Sequence, residues 1–164
     1  AELKQDKKEI KPDSVNISRI INSRIETIEK EVKEIQTSLT KNQIIKEGID
    51  RLISVSTPDA VNKILDETTF NNSRILKDFM GSGTSFSSDS IALKKNEVKS
   101  LIANDMNSLT KIQVEMDNII ASDITGTKKV ETIMAGVNDT LKNTPAGLDN
   151  ISNLDADKVR KLIR

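Results

Sequence analysis

Carboxylates are the main side chains from which this sequence could build acid–base or metal chemistry, because the chain contains neither His nor Cys. The missing His removes the commonest general base and metal ligand. The missing Cys removes disulfides and zinc–thiolate sites. Among the acids, Asp66 and Glu67 are adjacent, and Glu115 and Asp117 are two apart, so on a helix each pair diverges to different faces. Most acids sit beside Lys on faces expected to be solvated, without the apolar surroundings that shift a carboxyl group. Asp105 differs because it falls on an otherwise apolar stripe. It is either a register-setting polar residue or metal ligand within a helical seam, or a side chain that reaches water where the helix rotates slightly. A di-metal bundle would add His and several Glu on facing helices, and this chain has no His.

Three other patterns are weaker. Gly81-Ser82-Gly83 lacks the preceding strand and the Gly-Lys-Ser/Thr of a phosphate-binding loop, so it reads as a plain connector. Asn16-Ile17-Ser18, Asn71-Asn72-Ser73, Asn138-Asp139-Thr140 and Asn150-Ile151-Ser152 match the glycosylation sequon at the rate expected of an Asn- and Ser-rich chain. Phe86 is a large apolar residue in a Ser/Gly segment. It either folds back as a plug over the bundle end or stands out as an anchor for a partner.

The elements that would carry these residues are helical throughout. Ile21, Ile25, Ile28, Val32, Ile35 and Leu39 recur by fours and threes, which is the a/d seam of packed helices. Glu26–Lys30 and Glu29–Lys33 support its outer faces as i,i+4 pairs. A second apolar face follows at Ile45, Ile49, Leu52 and Ile53. Asn42 and Gly48 between them leave the helix either straight or kinked. Thr57-Pro58 predicts a cap and first turn, opening a helix through Val61, Leu65, Thr68, Ile75 and Phe79 to Gly81. The Ser/Gly segment 81–90 predicts a flexible loop.

A long helix is then expected from Ser88 or Asp89, with Val98, Leu101, Ile102, Leu109, Ile112, Met116, Ile119 and Ile120 as its stripe. After a turn at 124–127 comes a helix with Val130, Ile133, Met134, Val137 and Leu141. Asp155 is expected to cap a short terminal helix with Val159, Leu162 and Ile163. No segment alternates as a strand would. The expected fold is all-α: an antiparallel bundle of about four main helices plus a short C-terminal one. The organisation expected is a flexible tether over 1–13, then one bundle domain over 14–164 with its first helix capped at Asp13 or Ser14.

Composition narrows the function classes. Basic and acidic residues both number 25, so no overall excess drives duplex nucleic-acid binding. With no Trp or Tyr and only Phe70, Phe79 and Phe86, the chain offers little from which to build base-stacking platforms. No apolar run is long enough to span a membrane, and no signal-peptide core is expected at the start.

The charged segment AELKQDKKEIKPD, helices such as NISRIINSRIETIEKEVKEIQTSLTKN, and the lack of Cys, Trp, Tyr and His together resemble the helical outer-surface lipoproteins of Lyme and relapsing-fever spirochaetes. That resemblance extends over the whole chain in style and rests on no diagnostic motif. It implies a lipid anchor upstream of the tether, display on the outer membrane, and binding of host complement or matrix proteins. On this reading the chain is a monomeric, non-catalytic binding module without cofactor or metal. The candidate partner-binding residues are Phe86 and the flanking cations Arg74, Lys77, Lys94 and Lys95. The alternative is a self-assembling subunit of a filament, phage particle or secretion apparatus, joined through the 21–39 seam.

Overall fold

In the computed structural model the described backbone covers residues 2–81, 83, 85–122 and 127–144; side chains are described from Asn16 onward, Thr127 excepted. The fold is an all-α bundle. Its helices are α1 (Glu2–Ile53), α2 (Pro58–Glu67), α3 (Ile75–Met80), α4 (Ser88–Ser122) and α5 (Thr127–Asn143). The segment expected as a terminal helix, with Asp155 and Val159, and the turn at 124–126 lie outside the described residues.

α1 runs without interruption past both Asn42 and Gly48. It also begins earlier than the cap expected at Asp13 or Ser14, so the backbone of 2–13 is helical. The physical reason lies in the composition: Glu, Leu, Lys and Gln are strong helix formers even where they have no apolar stripe to bury. α2 starts as its sequence predicts. The Thr57 side chain accepts from the Ala60 amide at 3.3 Å, and Pro58 fills the first turn.

The single helix expected from Pro58 to Gly81 is instead two. α2 stops where Thr68 donates both its amide and, at 2.7 Å, its hydroxyl to the Ile64 carbonyl. Phe70 and Ser73 then exchange both backbone hydrogen bonds at 2.9 Å, closing a two-residue turn. Its central residues, Asn71 and Asn72, have φ of 49° and 64°. Asn is one of the few side-chain-bearing residues that enters this left-handed region readily. The Asn-Asn dipeptide, flanked by β-branched Thr68-Thr69, therefore outweighs the helical spacing of Leu65 and Ile75. α3 ends at Gly81, whose positive φ of 87° is one that glycine adopts readily.

The chain forms two compact units. The first comprises residues 1–34 and 108–142, and the second 35–107 and 143–164. In the first, α1 contributes buried Ile25, Ile28 and Val32, α4 contributes Leu109, Ile112 and Met116, and α5 contributes Val130, Ile133, Met134 and Val137. The second buries Leu39, Ile45, Ile49 and Leu52 of α1 with α2, α3 and the start of α4. Full burial of each such side chain is worth about 1.5–3 kcal/mol. Two assignments to the apolar faces are corrected: Leu101 is 40% exposed and Ile53 57% exposed. Ile53 is the last residue of α1, and Leu101 is replaced in the core by its neighbour Ile102, which is fully buried.

Within the second unit α1 and α4 run antiparallel, because Ser38 meets Asp105 while Asp50 meets Lys95. Gly48 marks a close approach between α1 and the α2–α3 segment. A Cβ at Gly48 would come within 3.0 Å of Thr68 Cγ2 and closer still to Leu76.

Candidate functional site

Four of the five residues singled out from sequence meet carboxylates in the second unit, two of them sharing one acid. Arg74, at the start of α3, and Lys77, within it, both reach Oδ1 of Asp66 on α2, at 3.3 and 3.6 Å. Lys95 of α4 meets Asp50 of α1 at 2.8 Å. Lys94 pairs with Glu97 at 3.4 Å and also places its ammonium 5.0 Å from the centre of the Phe79 ring. The four thus form ion pairs between and along helices, with Arg74 and Lys77 sharing the single Asp66 carboxylate. Partly exposed pairs of this kind contribute little stability each. Phe86 lies half-buried just before Ser87, whose hydroxyl accepts from the Ser90 amide at 3.1 Å and caps α4. Its ring stands beside Gly83, 3.5 Å from where a Cβ on that residue would be.

The structure adds a feature that helical spacing concealed. An open depression of about 350 Å³ lies between α1 and α3, lined by Lys41, Ile45, Ser73, Ile75, Asp78 and Phe79. Ile45 and Ile75 are buried and Phe79 is half-buried, so they form an apolar floor. Lys41, Ser73 and Asp78 are exposed on the rim. Ser73 is fixed there by its paired backbone bonds to Phe70 and by accepting from the Ile75 amide at 2.9 Å. Lys41 and Asp78 form no ion pair with each other or with any described residue. Phe79 was legible only as one member of a core stripe. The Asn-Asn turn that rotates α3 relative to α2 is the signal that would have set it apart.

Asp105 is half-buried and accepts a 2.6 Å hydrogen bond from the Ser38 hydroxyl, whose oxygen accepts in turn from Nδ2 of Asn42 at 3.3 Å. Its place on the stripe is thus met by a polar chain crossing from α1 to α4. In the first unit, Arg24 donates to both oxygens of Glu115, at 2.8 Å from Nε, and to Glu31 at 3.2 Å. The hydrogen bonds to Glu115 hold the Arg24 guanidinium far above its usual range, while the partial burial opposes them. Glu29 meets Lys129 of α5 at 3.2 Å, and this contact holds its carboxyl below the ordinary value. Among the described residues, no group of three or more acidic side chains is placed to hold a metal ion, and no helix is long and apolar enough to cross a membrane.

Comparison with protein-family models, with curated proteins and with solved structures finds no match to this chain. The fold and the site define an all-α helical bundle with an amphiphilic depression on its second unit.

Proposed function

We propose that this protein is a non-catalytic binding module, displayed on a cell surface, that engages a host serum or matrix protein, a complement component foremost, through the α3 side of its second unit. The observation that carries the reading is the half-buried Phe79 at the floor of an open, charge-rimmed depression. A central aromatic within a polar rim is the usual anatomy of a protein interface, and aromatics dominate its energetics. Surface display and the upstream lipid anchor are supported by the resemblance to the spirochaete lipoproteins. Phe86 and the ion-paired cations Arg74, Lys77, Lys94 and Lys95 belong to the same unit and are further candidates for the binding surface.

The self-assembling alternative is weakened by one feature. Ile25, Ile28, Val32 and Leu39 of its seam are already buried within a single chain. The experiment is capture from serum and from purified matrix proteins on immobilised full-length chain, with identification by mass spectrometry. It is run beside sedimentation of the free protein. A specific captured protein and a monomer mass are expected. Concentration-dependent growth into oligomers without capture would favour the assembly reading instead.

A further inference from the structure

We infer that the depression between α1 and α3 receives a single apolar side chain of a partner polypeptide, flanked there by one acidic and one basic residue. The inference rests on the reading of the chain as a protein-binding module and names the chemistry of what is bound.

Three observations set that chemistry. The floor of Ile45, Ile75 and Phe79 is apolar, and at about 350 Å³ the space is near the lower limit of ligand-sized clefts, enough for one side chain and its flanks. The rim offers a cation at Lys41, a hydroxyl at Ser73 and an anion at Asp78, with no ion-pair partner for either charge among the described residues. Nearby charges behave differently: Asp66, Arg74, Lys77, Lys94 and Lys95 are all paired. Opposite unpaired charges on one rim select a ligand that presents the complementary pair, and such complementarity acts mainly on specificity and register.

Two parts of the wall are held in place before anything binds. Ser73 is pinned by the Phe70–Ser73 backbone pair, and Phe79 has the Lys94 ammonium 5.0 Å from its ring centre. A site whose walls are already ordered loses less entropy on binding.

The test uses the isotope-labelled full chain and two blocked tripeptides, acetyl-Glu-Leu-Lys-amide and acetyl-Lys-Leu-Glu-amide, followed by amide shifts. Saturable shifts are expected at 41, 45 and 73–79, with one order of charges preferred. Lys41→Glu or Asp78→Lys should weaken the preferred peptide by about 1.5-fold to fivefold, the range of single exposed charge contacts. The double variant Lys41→Glu/Asp78→Lys should prefer the opposite order. That inversion is one a merely structural role would not produce, and both residues are exposed, so folding should persist by circular dichroism. Shifts elsewhere, or an unchanged preference in the double variant, would overturn the proposal. Equal shifts with free leucine would reassign the depression to a small molecule. If serum capture persists in the double variant, the binding-module reading stands and only this site is lost. If wild type captures nothing but the peptides bind as described, the host-protein reading is the one that fails.

Discussion

Gly48 and Leu76 approach so closely that a Cβ on the glycine would lie 2.6 Å from Cδ2 of Leu76. Leu76 is fully buried, so shifting its Cδ2 disturbs the core around it. A glycine inside a helix ordinarily costs about 1 kcal/mol relative to alanine; here the cost is offset by the packing it permits. Gly48→Ala should therefore destabilise the second unit by about 1–3 kcal/mol, the usual range for overpacking, despite its better helix propensity. Gly48→Ala combined with Leu76→Ala should be less damaging than the sum of the two changes. A double-mutant cycle of urea midpoints measures that coupling, and strict additivity would mean the two residues do not compete for space.

The Asn71-Asn72 turn gives a second expectation. Asn72→Gly should keep or slightly raise stability, since glycine enters the left-handed region without steric penalty. Asn72→Val should lower it by about 1–2 kcal/mol, the cost of a branched side chain there. Melting temperatures of the two variants should fall on opposite sides of Asn72→Ala.

Ile28 is completely buried in the first unit. Ile28→Asp places an unpaired carboxylate there and should cost about 3–5 kcal/mol, a large part of a typical domain's total of about 5–15 kcal/mol. Loss of the cooperative melt by circular dichroism is expected. A transition within a few degrees of wild type would show that the seam tolerates water.

A pH dependence follows from Glu29, whose carboxyl is held below its ordinary 4.5 chiefly by Lys129. Its folded value is the lower one, so ionised Glu29 stabilises the fold above the unfolded value. That contribution is lost as pH falls through the folded value. Between neutral pH and pH 3 the urea midpoint of wild type should drop more than that of Glu29→Gln. The difference should shrink in high salt, because the pair is at the surface. Equal drops in both proteins at low salt would remove the Glu29–Lys129 contact from the account.

Much of the fold was legible because apolar spacing is a direct record of what a helix buries. Of the seam from Ile21 to Leu39, Ile25, Ile28, Val32 and Leu39 are buried and Ile21 and Ile35 half-buried; the Thr57-Pro58 start appears as expected, and Val130, Ile133, Met134 and Val137 of the α5 stripe are buried. What periodicity could not weigh was local backbone chemistry. Thr68, Ile75 and Phe79 keep helical spacing across a break that two Asn residues impose. Charge was the other blind spot. Arg74, Lys77 and Lys95 are simply basic in sequence, and only the packing of α1 against α4 and of α2 against α3 reveals that each has found a carboxylate, whereas Lys94 pairs with Glu97 one turn along its own helix. Lys41 and Asp78 are far apart in the chain and share a rim only through the fold.

The division of the chain bears on the order in which the molecule assembles. The first unit joins residues 1–34 to 108–142, with 35–107 lying between them in sequence. Closing so long an unstructured loop carries an entropy penalty and slows the search for distant contacts. The region 35–107 contains α2, α3 and the whole Asn-Asn turn, whose partners are near neighbours in sequence. Once this region is ordered, the loop left to close is effectively shorter. If the second unit orders first, the first has a shorter loop left to close, and a lesion at Gly48 is then expected to slow the burial of Ile28, a residue it never touches.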